Sequence, residues 1–198
     1  MELSLELTKR YSYADYLTWI DDKRRELIDG FIHLMSPAPK WAHVRINDNI
    51  YFQLGLIVTR NHGQCVVCHA PIDVRFPKNG ETTDDKIYTV VQPDICVICD
   101  LSKIDDLGCC GAPDMIVEVL SPSTAKKDMY DKFILYQEHG VKEYWVVHPK
   151  DKALTVFLLQ EDGKYDAGTL YEFEKAGKKV PVHVFKDYMI DLNDIFNT

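Results

Sequence analysis

The 198-residue sequence predicts a mixed α/β or α+β fold, a central sheet with helices packed on it. Three observations carry that expectation. Apolar runs of strand length alternate with stretches of helical spacing, Asp-Gly pairs sit inside two of the strand regions, and no repeat, low-complexity tract or long linker divides the chain. Residues 1–198 are therefore read as a single domain, long enough to bury a proper core. With 46% hydrophobic and 11% aromatic residues, the composition excludes a disordered chain.

Each element has a local reason. Residues 13–20 suit a short opening helix with Ser12 as its N-cap. Arg25 to Leu34 is two short runs around Asp29-Gly30, a strong hairpin signal. From Ala42 to Arg60, Val44, Ile50, Leu54, Ile57 and Val58 fall at mostly helical spacing, which predicts a long helix. Strands are expected over Cys65–His69 and Ile72–Phe76, joined at Pro71, and the dozen residues that follow read as a polar loop. Pro93–Ile98 and Pro113–Leu120 are further strands. Ser121-Pro122-Ser123-Thr124 carries helix-start signals, and the helix it opens runs to about His139, with Gly140 as the stop. Glu143–His148 is another strand. Ala153–Leu159 and Tyr165–Phe173, split by Asp162-Gly163, form a second hairpin, and Val180–Phe185 adds an edge strand.

The formal charge is −8, from 23 basic and 31 acidic side chains. It is concentrated: residues 1–60 sum to zero, 61–120 to −6 and 121–198 to −2. The blandest source is an acidic loop, because Glu81, Asp84, Asp85, Asp100, Asp105 and Asp106 all lie in polar stretches. This charge argues against avid, non-specific coating of a polyanion such as DNA. No run approaches the roughly 18 apolar residues of a membrane span, and the N-terminus lacks the pattern of a secretory signal. A cytoplasmic protein with no membrane partner is expected.

The chemistry is suggested by a carboxylate inside an apolar strand. Alternation puts Asp114, Ile116, Glu118 and Leu120 on one face and Met115, Val117 and Val119 on the other. A lone ionised Glu118 would cost several kcal/mol there unless paired or bound to metal. Asp94 opens the preceding strand. If neighbouring strands bring Asp94 and Glu118 together, they repel, and a divalent cation with a taste for oxygen ligands removes the penalty. Lys132, on the following helix, could point back at the sheet. The plainer reading gives Glu118 a basic neighbour and makes Asp128 and Lys132 an ordinary i,i+4 surface pair.

A family resemblance adds to this. Glu26-Leu27-Ile28-Asp29-Gly30, Ser36-Pro37 with the His43 helix, and Val91-Gln92-Pro93-Asp94-Ile95 resemble the Uma-two family of endonucleases. So do the longer blocks 112–124 and 140–149, with Asp128, Lys132 and Tyr136 between them. That family lies within the PD-(D/E)xK restriction-endonuclease-like superfamily, and the resemblance runs from about residue 10 to 196. It implies a restriction-endonuclease-like mixed central sheet flanked by helices, here with extra N-terminal and C-terminal hairpins. It also implies a metal-dependent phosphodiesterase site using Mg²⁺ or Mn²⁺. The superfamily's Asp would fall on Asp94 and its (D/E) on Glu118, both as metal ligands. The Lys two residues later would fall on position 120, which is Leu120. In proteins resembling this one the Lys has moved to the next helix, where Lys132 matches, so catalysis requires Lys132 to reach the carboxylates. Glu26 matches the first acidic position, as a holder of a second metal or of the first through water, and His43 and Asp114 match supporting ones.

Other motifs are weighed against this. Cys65-Val-Val-Cys68 and Cys96-Val-Ile-Cys99 look like zinc pairs, but in strands positions i and i+3 point to opposite faces, which favours small core-filling thiols. A structural disulfide is not expected in a reducing compartment. Cys109-Cys110, in a Gly-flanked stretch, are expected to be the most exposed thiols. Tyr144 and Trp145 read as core. Lys126-Lys127 and Lys23-Arg24-Arg25 could contact phosphate or line a substrate path. The leading function is thus a metal-dependent endonuclease hydrolysing DNA phosphodiester bonds, expected to work as a homodimer. The alternatives are a catalytically weak or inactive nuclease-fold binding or oligomerisation module, and a zinc or redox protein built on the CxxC pairs.

Overall fold

The computed structural model describes residues 5–35, 39–60, 64–121, 127–174 and 179–197, the stretch 127–129 as backbone alone. The chain runs α1 (Tyr13–Tyr16), β1 (Arg25–Ile28), β2 (Phe31–Leu34), α2 (Trp41–Arg60), β3 (Val66–His69), β4 (Val74–Arg75), β5 (Val90–Val91), β6 (Ile95–Ile98), β7 (Ile104–Asp105) and β8 (Gly108–Cys110). It continues through β9 (Met115–Val119), α3 (Lys127–Glu138), β10 (Glu143–His148), β11 (Ala153–Leu158), β12 (Thr169–Glu172), β13 (Lys179–Pro181), β14 (Met189–Asp191) and α4 (Leu192–Phe196).

The main sheet has the order β12-β11-β10-β9-β6-β3, with β9 and β10 parallel and joined through α3. A second six-stranded sheet, β2-β1-β5-β4-β8-β7, lies against it, and β13 pairs with β14 alone. The main sheet is apolar on both faces. Met115, Val117 and Val119 join Ile50 and Leu54 of α2 and Ile195 of α4 in one core. Ile116, Tyr144 and Val146 face Val74, Val91 and Cys109 of the second sheet, with Leu135 and Tyr136 of α3, in the other. The period-2 alternation predicted for β9 is therefore borne out, and Trp145 and Tyr144 are fully buried.

Local signals act as expected where they are strong. Ser12 caps α1 in a reciprocal box with Asp15. Asp29 and Gly30 take φ of +52° and +86°, the paired left-handed residues of a tight hairpin turn whose twist suits the strands. Gly140, at φ +81°, ends α3. The Ser36-Pro37 stretch, the start signals Pro122-Ser123-Thr124, and the side chains of Lys126, Lys127 and Asp128 lie outside the described residues.

Four expectations are corrected. The N-terminal hairpin is not an appendage; β1 pairs with β5 and thereby enters the second sheet. The strands expected over 65–69 and 72–76 both form, as β3 and β4, one in each sheet. Cys109 is fully buried on β8 rather than exposed, and Cys110 is half-buried, because the Gly-flanked stretch pairs with β4. The acidic middle third is not only loop: Asp84 and Asp105 both pair with Arg75, which is itself buried.

The cysteines supply the fourth correction. Cys65 and Cys99 form a disulfide. The Ala70 N–H donates to the Asp94 carbonyl, and hydrogen-bonded rungs recur every second residue along β3–β6. Cys68–Cys96 therefore occupies a hydrogen-bonded rung. Cys65–Cys99 occupies a non-bonded one, where Cα atoms approach most closely, here 4.0 Å. As expected, each CxxC splits between faces: Cys65 and Cys99 pack into one core, Cys96 and Cys68 into the other. The bridge spans 34 residues, a loop whose closure restrains the unfolded chain. Reducing it, or Cys65→Ser, is expected to lower stability by about 3 kcal/mol. Guanidinium unfolding of oxidised against reduced protein checks this, and coincident curves would contradict it.

Candidate active site

Four elements deliver the predicted residues to one end of the main sheet. Glu118 lies near the end of β9, and the register Ile95↔Val117 sets Asp94, one residue before β6, beside Glu118 on the next rung. The chain leaves β9 and returns through α3, which packs back over the same face, so Lys132 and Tyr136, one turn apart, reach the sheet. Glu26 comes from β1 of the second sheet. On β1, Leu27 joins the small core under the hairpin, so Glu26 faces the opposite way. His43 comes from the first turn of α2.

Lys132 does reach the carboxylates. Its Nζ lies 2.9 Å from Glu118 Oε1 and 3.0 Å from Glu26 Oε1. All three side chains are nearly buried, at 12%, 13% and 8% exposure. The same Glu118 oxygen accepts a 2.7 Å bond from the Tyr136 hydroxyl. Glu26 Oε1 also accepts from the Gln92 backbone N–H at 2.9 Å. Asp94 is held through its Oδ2, by the Val119 N–H at 2.8 Å and by His43 Nε2 at 3.2 Å.

Burial decides the electrostatics first. Desolvation pushes the Glu118 carboxyl up to about 7; Lys132 opposes this, while the like charges of Asp94 and Glu26 add to it. Burial also disfavours a charged Lys132, but Glu118 and Glu26 together hold it protonated, above its usual range. Burial pulls His43 toward neutrality as well. The hydrogen bond and charge of Asp94, with smaller help from the Val119 backbone and Glu118, outweigh that and raise it.

The donor chemistry suits a hard cation. In each carboxylate one oxygen carries all the hydrogen bonds, and Asp94 Oδ1, Glu118 Oε2 and Glu26 Oε2 accept none from the described residues. Among the described residues no three or more His, Cys, Asp or Glu side chains form a ready-made ligand cage. Mg²⁺ does not demand one, since it is commonly held by one or two carboxylates with water completing the shell. Asp94 and Glu118 fit that role.

The remaining predicted residues separate. Asp114 lies at the far end of β9, where Oδ2 accepts from the Cys99 N–H at 2.8 Å and Oδ1 from Lys142 at 2.6 Å. It straps β6 and β10 to β9 and does not join the cluster. Arg25 is buried and paired with Asp21, so it lines no path; Arg24 is exposed and binds Gln92 Oε1 at 2.7 Å. Leu120 packs against the core on the Glu118 face. Sequence reasoning gave no role to Tyr136 or to the Gln92 backbone. The i,i+4 spacing of Lys132 and Tyr136 was the available signal for the first; nothing local marks the second.

A mixed sheet carrying this arrangement has a nuclease-like fold. The chain belongs to the Uma2 (Uma-two) family, described as "Putative restriction endonuclease", whose model matches residues 13–188. It is 26% identical over 186 residues to an uncharacterised protein of Synechocystis sp., covering 88% of this chain and 90% of that one. A crystal structure from Anabaena variabilis, of a putative nuclease of the DUF820 group, superposes with a TM-score of 0.71 at 18% identity. That match covers 94% of this chain and 98% of the other. No helix among the described residues is long and apolar enough to cross a membrane.

The raised Glu118 has a signed consequence. Its folded value of about 7 exceeds the ordinary 4.5, so between those values the folded state keeps a proton that the unfolded chain has lost. In chelator, stability is expected to fall as pH rises from about 4.5 to 7, with His43 adding the same sign slightly higher. Melting temperature against pH reads this out. Glu118→Gln should flatten the slope across that window, and an unchanged slope would contradict the assignment.

Proposed function

We propose that this protein is a metal-dependent endonuclease that hydrolyses DNA phosphodiester bonds. The observation that carries the reading is Lys132 Nζ within 3.0 Å of both Glu118 and Glu26. It supplies from α3 the cation that the superfamily pattern would put at position 120, where Leu120 stands. The family's description and the nuclease named in the structural match support the same reaction class.

Asp94 and Glu118 would hold Mg²⁺ or Mn²⁺, which when bound neutralises phosphate charge and lowers the pKa of a coordinated water. Lys132 places a fixed positive charge beside the reacting phosphate, where it stabilises developing negative charge. Glu26 anchors Lys132 through the oxygen that Gln92 also holds; with the ammonium between Glu26 and Glu118, we assign it this role rather than a second metal. His43 orients Asp94. Asp114 acts at a distance, as the strap at the other end of β9. Cutting both strands of a duplex calls for two such sites, and a homodimer is part of the proposal. With a net charge of −8, DNA affinity should be modest and strongly salt-dependent.

Plasmid nicking tests the reading. Wild-type protein with Mg²⁺ or Mn²⁺ is expected to convert supercoiled plasmid to nicked and linear forms, and chelator should abolish this. Glu118→Ala and Lys132→Met should each lose on the order of 100-fold in rate. Folded, metal-supplied wild type that cuts nothing across a broad substrate panel, while binding DNA as well as Glu118→Ala does, would replace the proposal with a non-catalytic nuclease-fold module.

A further inference from the structure

We infer that Tyr136 is a positioning residue that aims Glu118 at the cation; the inference rests on the metal reading above. Tyr136 is fully buried, and its ring is wedged between Phe76, at 6.0 Å centroid to centroid, and Tyr144, at 5.1 Å edge-on. The backbone beneath it is fixed as well, since the Val141 N–H donates to its carbonyl at 3.0 Å. The hydroxyl therefore has little freedom, and its 2.7 Å bond goes to Glu118 Oε1.

That oxygen already accepts from Lys132. One donor would leave the carboxylate free to turn about its terminal torsion, because that torsion is broad and soft. Two donors converging on one oxygen from successive turns of α3 remove that freedom. They present Oε2, which accepts nothing from the described residues, on the side left for a ligand. Asp94 repeats the arrangement, with its Oδ2 held by Val119 and His43 and its Oδ1 left over. Partners that orient metal-binding carboxylates in this way typically contribute 10- to 100-fold in metal affinity.

Tyr144 supplies an internal control. Its ring belongs to the same aromatic shelf and its hydroxyl is buried, but that hydroxyl has no hydrogen-bond partner among the described residues. Removing it deletes a buried oxygen while leaving both hydrogen bonds to Glu118 Oε1 in place.

The test is Mn²⁺ titration of DNA-free protein by calorimetry, with melting temperature measured alongside. Tyr136→Phe keeps the ring and is expected to bind Mn²⁺ at least about 10-fold more weakly. Tyr144→Phe should bind like wild type. Because Tyr136 acts through Glu118, adding Tyr136→Phe to Glu118→Gln should cost no further affinity, whereas a general packing defect would add. With DNA, the single variant should lose kcat with KM for DNA unchanged, and raised Mn²⁺ should restore part of the rate. Wild-type Mn²⁺ affinity in Tyr136→Phe, or an additive loss in the double variant, overturns the inference and leaves the metal reading standing. Failure of wild type to bind Mn²⁺ at all overturns both. If Tyr136→Phe does not fold, the infrared carboxylate bands of wild type and Tyr144→Phe decide. A Glu118 band that does not shift when the tyrosine hydroxyls are deuterated contradicts the bond on which the inference stands.

Discussion

The ammonium of Lys132 joins three parts of the molecule at one point. Glu118 belongs to the main sheet, Glu26 to the second sheet, and Lys132 to the helix that crosses from β9 to β10. All three groups have left water, so each is tolerable only because the others are there; a buried ion pair gains little over an apolar core, but losing one member strands the rest. The arrangement gives the two sheets a fixed register at the site end. It also leaves a deficit: with Asp94, three carboxylates face one lysine. Burial lifts Glu118 first and the surplus negative charge adds to it, a surplus that a single divalent ion would balance.

The same logic accounts for much of the chain's acidity. Net charge alone argued against a partner as anionic as DNA. In the fold, part of the excess in residues 61–120 is committed: Asp84 and Asp105 to buried Arg75, Asp114 to Lys142, Asp94 to His43 and the Val119 amide. What remains outside limits affinity without opposing a local cation-filled site.

Much of this was legible from residues. Glu118 interrupts an apolar strand, and period-2 alternation placed it correctly opposite Val117 and Val119. The Asp29-Gly30 turn, the Ser12 cap and the Gly140 stop are local signals, set by backbone conformations that few other residues favour. The second sheet was not legible, because β4 and β5 are two-residue strands too short to show any period. Glu26 was available only through family resemblance. In isolation Lys23-Arg24-Arg25 beside it reads as a basic run along a substrate path, and it is the pairing of β1 with β5 that buries Glu26. Cysteine pairing failed for a related reason: whether two thiols meet depends on which rung of the ladder they share, and a sequence does not state its register. The redox compartment was a weaker guide than that geometry.

The site depends on Lys132 coupling Glu26 to Glu118, and a double-mutant cycle measures this without metal or substrate. Unfolding free energies of wild type, Glu26→Gln, Lys132→Met and the double variant would be compared at pH 8 in chelator. The geometry predicts strong non-additivity, about 1–3 kcal/mol, with the double variant more stable than the sum of the two losses implies. Losses that add to within about 0.5 kcal/mol would mean that the two side chains are neighbours without being partners. The site described here would then lack the interaction that assembles it.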